Sequence, residues 1–342
     1  MSKGIVTKIT GTLSLLFLSL IEGYPQDDSG HSVKIMFYNV ENLFDIYDDS
    51  ITDDDEFLPD GIRRWNYSRY SRKINSLYKT ILAAGEWSPP AIVAFCEIEN
   101  RKVLEDLVYG TNLSKYNYSI IHQDSPDPRG IDVCLIYRID KIDIINYRYL
   151  LPPGNGENMV ATRDVLYSRC LVSGDTIHLF VNHWPSRRGG VLAGESRRIQ
   201  IAGMIRDMAD SIGSSVNSDA RIIIMGDFNA TPDDQEINLI TGEYGSGISL
   251  VNLSGGLAEG SGTYRYRGTW EMIDQVIVSD GLLNCSSGVY SKPGMLKIFK
   301  PDFLLKKDPV YPGLSPFSTW LGYRYQGGYS DHMPVLLELL VR

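Results

Sequence analysis

The chain has 342 residues, 43% hydrophobic and 22% charged, with a formal charge of −9 at pH 7. This is the composition of an ordinary globular protein with ample material for a large core. The acidic balance argues against holding nucleic acid on a basic face, since that affinity comes mainly from Lys and Arg displacing counterions; it leaves open catalysis on a phosphate ester whose charge bound metal ions offset locally.

In chain order, Lys3 and Lys8 flank ITGTLSLLFLSLIEG (9–23), which has the charged flank, apolar stretch and small residue of a secretory signal. About a dozen apolar-dominated residues fall short of the roughly 20 that a membrane span needs. Residues 1–23 are therefore expected to be a signal peptide rather than a retained anchor, and 24–342 a single exported domain, periplasmic or extracellular. The acidic loop DIYDDSITDDDEFLPDG (45–61) lacks the ligand spacing and central Gly of an EF-hand and reads as a solvated loop.

Short apolar runs at 33–40, 91–98, 131–138, 176–184, 221–228, 272–279 and 333–341 read as strands. Several are apolar on both faces, which implies sheets covered on both sides. Two stretches carry helical spacing instead: Ile74, Leu77, Ile81 and Ala84 recur every three to four residues, as do Ile199, Ala202, Ile205, Ala209 and Ile212. No repeat or linker divides the chain. Cys96, Cys134 and Cys170 sit inside apolar runs, so buried free thiols are expected of them, and none of the four cysteines, Cys285 included, shows C-x-x-C spacing.

The ends of these strands share a chemistry. RIIIMGDFNATPDD runs through Gly226 into Asp227 and Asn229; YNVENLF places Asn39 and Glu41 at the first strand's tip; AFCEIEN places Glu97 at the second. VNHWPSRRGG supplies His183, TWEMID Asp274, and YSDHMPV Asp331 and His332. A turn accounts for any one of these polar tips. Their repetition at strand ends, where open α/β sheets bind ligands, points to convergence.

On these motifs the chain resembles the endonuclease/exonuclease/phosphatase superfamily, over essentially the whole mature length and in the family's order. GDFNATP and SDHMPV are the most specific signatures, supported by YNVENL and CEIEN. The resemblance implies an α/β (α+β) fold: a four-layered sandwich of two mixed β-sheets packed face to face with helices outside. It also implies metal-assisted hydrolysis of phosphate esters, with Mg²⁺ or Mn²⁺, or alternatively Ca²⁺, as cofactor.

Carried over residue by residue, Glu97, Glu41 and Asp331 would hold the metal, and Asn39 would orient phosphate or metal-bound water. Asp227 would position or activate the attacking water, and Asn229 would donate to a phosphate oxygen. His332 and His183 match two family histidines, each held by a carboxylate: Asp274 for His332, and Asp132 for His183. A carboxylate fixes an imidazole's tautomer and raises its pKa. Arg187, Arg188, Arg197 and Arg198 follow His183 closely; Arg187 is the candidate for gripping phosphate, while Arg197 and Arg198 also suit a solvated helix face. Trp184 and Trp270 read either as core residues or as platforms for a base.

The expected function is an exported nuclease or phosphodiesterase acting on DNA or RNA, a monomer with no obligate protein partner. The alternative is a phosphatase or a sphingomyelinase-like hydrolase, acting on an inositol phosphate or phospholipid. A catalytically inactive binding module is the reading from another class, and the intact polar cluster argues against it.

Overall fold

Val33–Leu43 and Arg221–Asp227 are apolar on both faces because each is the inner strand of a sheet covered on both sides. A computed structural model describes residue 1 and residues 32–152, 162–187, 194–216, 219–242, 247–284 and 287–342 of the protein. In the first sheet the order is Val289–Tyr290, Val335–Val341, Val33–Leu43, Ile92–Ile98, Asp132–Arg138 and Tyr118–Ile121, with Leu296–Ile298 also paired to the last strand of the chain. In the second it is Ile142–Leu150, Val165–Val172, Asp175–His183, Arg221–Asp227, Asp274–Ser279 and Leu250–Asn252. Each sheet is mixed, with one parallel pair at its centre: Val33–Leu43 beside Ile92–Ile98, and Asp175–His183 beside Arg221–Asp227.

Alternation of side chains across the pleat sorts the residues into layers. Ile35, Phe37, Ala94 and Cys96 of the first sheet share one core with Leu179, Val181, Ile223 and Met225 of the second. Their neighbours Met36, Tyr38, Val93 and Phe95 face the other way, onto Ile74, Leu77 and Ile81 of the helix Tyr67–Gly85 and Leu104 of Arg101–Val108. Phe180, Ile222 and Ile224 likewise pack on Ile201, Ile205 and Ala209 of the helix Glu195–Val216. The result is the expected four-layered sandwich. The seven expected strands and both helices are present; the strands Ile142–Leu150 and Val165–Val172 and the helix Arg101–Val108 complete it.

Cys96, Cys134 and Cys170 are free and buried, as expected, whereas Cys285 and the signal-like segment 9–23 lie outside the described residues. Among the described residues no helix is long and apolar enough to cross a membrane.

Candidate active site

The two central parallel pairs end side by side, and the backbone departs from regular strand geometry there. The first strand's register with Ile92–Ile98 shifts between Asn39 and Leu43, a bulge of the kind that re-aims side chains at sites. Glu41, Asn42, Glu97 and Asn229 all have positive φ (52°, 55°, 63° and 47°), a conformation that costs energy in non-glycine residues and clusters at functional sites. Gly226 precedes Asp227 for a steric reason: its φ is 155°, and a Cβ there would stand 2.3 Å from the carbonyl oxygen of Asn182 on the neighbouring strand.

Asn39 joins the sheets. Its Nδ2 donates to Asp227 Oδ2 (3.0 Å) and to Glu97 Oε1 (3.4 Å), while its Oδ1 accepts from the Glu41 amide (2.9 Å). Glu97 Oε2 accepts from the Asn42 amide at 2.9 Å. Asn229 is held by its own Asp227, whose Oδ1 accepts its amide at 2.9 Å, and its Nδ2 donates to the Trp184 carbonyl at 3.0 Å. Strand register sets His183 level with Asp227, and Asp227 level with Asp274.

His332 Nδ1 lies 2.7 Å from Asp274 Oδ2, which is the expected dyad. Its Nε2 then points inward, 3.9 Å from Asp227 Oδ2 and 4.0 Å from Asp331 Oδ1. His183 Nε2 is 3.8 Å from both Glu97 Oε1 and Asp227 Oδ2. These separations exceed hydrogen-bond length, so the two imidazoles and the carboxylates face one another across a gap.

Burial drives the electrostatics of these groups apart. It lifts the Asp227 pKa to about 7, with Asp274 adding to the rise and His332 opposing it. Burial also opposes charge on His332, but Asp274 overrides it and holds that imidazole's pKa well above the usual range. His183 has no such partner: burial, then Arg163 and Arg129, push its pKa well below 6.5. The two histidines are thus pushed in opposite directions, His332 toward the charged form and His183 toward the neutral one, a division that suits a proton donor and a neutral hydrogen-bonding group.

Glu97 and Asp331 present carboxylate oxygens of the kind a hard divalent cation takes, whereas the Asn39 oxygen is taken by the Glu41 amide. Burial raises the Asp331 pKa, against the pull of His332, and the Glu97 carboxylate raises it further. This is surplus negative charge that a cation would relieve, so the donor set fits such an ion. Asp227, Asp274 and His332 also bring three ligand atoms within 4.8 Å of one another, as do Cys96, His183 and Asp227. In the first set, however, His332 Nδ1 is already committed to Asp274, and in the second the thiol is a buried strand residue whose pKa burial raises.

Three expectations require correction. Asp132 does not hold His183: its carboxylate takes His122 Nε2 (2.9 Å) and the Ser125 amide (2.8 Å), because the chain leaving the adjacent strand Tyr118–Ile121 folds back beside it. Among the described residues His183 Nδ1 is buried with no hydrogen-bond partner. Glu41, expected at the metal, is buried with its two oxygens accepting the backbone amides of Thr319 and Trp320, so it anchors the 317–329 loop. Arg187 is not a free phosphate clamp: its guanidinium donates to the Asn229 carbonyl (2.7 Å), Asp234 (2.8 Å) and Glu271 (3.4 Å), bracing the GDFNATP turn.

Among the other candidates, Arg198 is buried against Glu236 at 2.6 Å, and Arg188 lies outside the described residues. Trp184 is a core residue, edge-on to Phe228, whereas Trp270 is half-buried beneath Lys300, whose Nζ is 3.1 Å from the ring centroid.

Lys73 belongs to the site's support and was not anticipated. Fully buried on the helix Tyr67–Gly85, it donates to the Glu41 carbonyl, Thr319 Oγ1 and the Tyr329 carbonyl, tying the first strand's end to the segment before Asp331. Burial lowers its pKa to about 8, with Glu41 and Asp331 opposing the fall. A signal existed: Lys73 stands in the helix's apolar stripe, beside Ile74 and four residues before Leu77.

Two mixed sheets that gather Asn39, Glu97, Asp227, Asn229, Asp331 and a His332–Asp274 dyad at one edge form a scaffold for phosphoester hydrolysis. The sequence model of the endonuclease/exonuclease/phosphatase family matches residues 34–341, and the chain belongs to that family of hydrolases. No curated protein matches the chain by sequence. Among solved structures it is similar to a mannosyl-6-phosphatase of Bacteroides thetaiotaomicron (TM-score 0.58, 17% identity, covering 90% of this chain and 99% of that one). It is also similar to the human nocturnin catalytic domain with bound sulfate (0.55, 14%, covering 90% and 94%). A third is the D. rerio TDP2 complexed with single-strand DNA product (0.55, 13%, covering 90% and 99%). Identities this low speak to fold alone.

Proposed function

We propose that the protein is an exported, divalent-metal-dependent phosphodiesterase whose substrate is a nucleic acid strand. The observation that carries the reading is the Asn39–Asp227 hydrogen bond across the two sheets. It sets a carboxylate of pKa about 7 opposite one histidine pushed toward its charged form and one pushed toward its neutral form, beside Glu97 and Asp331.

Glu97 and Asp331 are the residues that would hold the ion, which when bound supplies positive charge to the non-bridging phosphate oxygens. Asp227 accepts the proton of the attacking water and is oriented by Asn39 and the Asn229 amide. His332, kept protonated by Asp274, donates to a phosphoryl oxygen or to the leaving oxygen. His183 donates a hydrogen bond as a neutral imidazole from the opposite side of the gap.

The surroundings support a strand with bases. Tyr264 lies with its ring centroid 4.9 Å from that of His332 and Tyr266 is exposed, giving aromatic surfaces on which bases stack, while Lys300 covers a face of Trp270. The structural neighbour complexed with single-strand DNA product shares the scaffold.

One observation favours a second reading, a phosphomonoesterase. Arg187 is committed to Asn229, Asp234 and Glu271, which removes a grip on flanking phosphates, and a mannosyl-6-phosphatase is among the structural neighbours.

The deciding experiment gives the protein Mg²⁺ or Mn²⁺ and a panel: plasmid DNA, RNA, bis-p-nitrophenyl phosphate, p-nitrophenyl phosphate, mannose 6-phosphate, inositol phosphates and sphingomyelin. Turnover of DNA or RNA together with the diester is expected; turnover confined to monoesters or to sphingomyelin contradicts the nuclease reading. Export rests on residues 9–23, and N-terminal sequencing of the secreted protein should find cleavage near residue 23.

A further inference from the structure

The helix Tyr67–Gly85 carries a charge imbalance that its packing does not require. It holds Arg69, Arg72, Lys73 and Lys79 and no Asp or Glu, in a chain with 42 acidic residues against 33 basic ones. A helix face that only meets water gains from interspersed signs, since opposite charges at i,i+4 stabilise it. Lys73 turns inward to support the active site. Arg72 and Lys79 are exposed, and among the described residues neither has an ion-pair or hydrogen-bond partner.

Helical spacing puts Arg72 and Lys79 on one stripe with Ser68 and Asn75. That stripe, with Phe317 and Tyr329 of the 317–329 loop, lines a groove of about 640 Å³ that contains hydroxyl, amide and cationic groups and no carboxylate. A smaller groove shares Ser68 and Arg72 with it and adds Arg69, whose guanidinium lies 4.5 Å from the Tyr325 ring centroid. On the loop side, Lys306 stands 5.5 Å from the Phe317 centroid. The groove adjoins the candidate active site: Tyr329 is two residues before Asp331, and its carbonyl accepts from Lys73, the neighbour of Arg72.

We propose that this groove is a strand-binding site, which holds backbone phosphates of a single-stranded nucleic acid beyond the scissile one. Arg72 and Lys79 lie about 10 Å apart along the helix axis at ~1.5 Å per residue, about three steps of a stacked strand at ~3.4 Å each. Cations, hydroxyls and amides are the groups that take phosphate oxygens, and the partly exposed rings of Phe317 and Tyr329 offer faces for bases. Resting on the nuclease reading of the active site, the groove favours chains over small diesters. Its concavity fits a strand and not the flat surface of a bilayer.

The test compares the full chain with its double variant Arg72→Gln/Lys79→Gln, at two exposed positions outside the catalytic machinery. Turnover is measured with Mg²⁺ on bis-p-nitrophenyl phosphate and on a labelled single-stranded oligonucleotide of about 12 nucleotides. Binding of the same oligonucleotide is followed by fluorescence anisotropy in EDTA over a range of salt. The variant should raise KM and Kd for the oligonucleotide about 10-fold and lower the slope of log Kd against log salt by about 1.4, at ~0.7 per phosphate contact. Diester turnover should stay within about two-fold of the parent, because so small a substrate does not reach the groove. A parent chain that binds the oligonucleotide through Arg72 and Lys79 without cleaving it upholds the groove and removes the nuclease reading. Oligonucleotide KM, Kd and salt slope that are unchanged in the variant overturn the groove and leave the nuclease reading standing. No oligonucleotide binding by the parent chain also overturns it, as does binding of phosphatidylserine vesicles that needs Arg72 and Lys79 when oligonucleotide binding does not.

Discussion

Replacing Asp227 by Asn should make the protein inactive and more stable at once. Burial and Asp274 lift the Asp227 pKa from 3.8 to about 7. At about 1.36 kcal/mol per unit, holding this residue ionised in the folded chain costs on the order of 4 kcal/mol. Between these two values the folded state keeps a proton that the unfolded state releases. The contribution therefore falls as pH rises from about 4 to about 7, and is flat above.

An amide at this position does not ionise, but its single oxygen replaces only one of two acceptors: kept on the Asn229 amide, it turns its NH₂ toward the Asn39 Nδ2 that Asp227 Oδ2 accepted from. Repacking around its NH₂ group takes back part of the gain, leaving a net stabilisation of about 1–3 kcal/mol at pH 8 and little at pH 4. Thermal unfolding of both chains in EDTA at pH 4, 6 and 8 measures this, alongside turnover at pH 7, which should fall at least ~100-fold. Equal stability of the two chains at pH 8, or a difference that does not change between pH 4 and pH 8, would refute the buried-charge argument. Near-normal turnover in a folded variant would remove Asp227 from the chemistry.

Asp274→Asn should move the basic limb of the pH–rate profile to lower pH, because His332 loses the charge that keeps it protonated and burial then pulls its pKa down. An unmoved limb in an active, folded variant would show that His332 is not the group responsible. Asp132→Ala should leave turnover within a few-fold of the parent while loosening the 122–125 turn, whereas His183→Ala should cost at least ~10-fold; equal, large kinetic losses would restore Asp132 to the site. Lys73→Met should destabilise the chain by about 2 kcal/mol or more by freeing the buried acceptors of Glu41, Thr319 and Tyr329, as denaturant unfolding can measure; a fully stable variant would remove Lys73 as the tie between the strand end and the loop.

What the sequence made legible was local. Asp227 with Asn229, Asp331 with His332, and Glu97 each lie within four residues of a strand's end, so a strand prediction places them at the sheet edge without any knowledge of distant contacts. The His332–Asp274 pair followed from the motif resemblance, and the two segments meet at Thr263, whose carbonyl accepts the Met333 amide and whose Oγ1 accepts the Asp274 amide. Asp132 went wrong because a carboxylate's partner depends on what folds beside it: a hairpin brings His122 and Ser125 nearer than a crossing to the other sheet brings His183. Glu41 was misread because a positive φ at the bulge turns its side chain toward the amides of Thr319 and Trp320, 278 and 279 positions along the chain. Arg187 looked like a phosphate clamp because the sequence cannot show that Asp234 and Glu271 fold back onto it. The strand Ile142–Leu150 escaped notice because its many exposed residues blur the apolar pattern, and Val165–Val172 because Ser168 and Arg169 interrupt its apolar run.

On the proposed reading, phosphodiester hydrolysis occurs where Glu97 and Asp331 would hold a divalent ion beside Asp227 and His332. Its most direct test is bis-p-nitrophenyl phosphate turnover by metal-stripped protein during Mg²⁺ titration, with Glu97→Gln in parallel. No turnover is expected without metal, with saturable restoration in the parent chain and a requirement for much higher Mg²⁺ in the variant, because an amide is a poor ligand for a hard cation. Full turnover in excess EDTA, or identical Mg²⁺ dependence in the two chains, would contradict it.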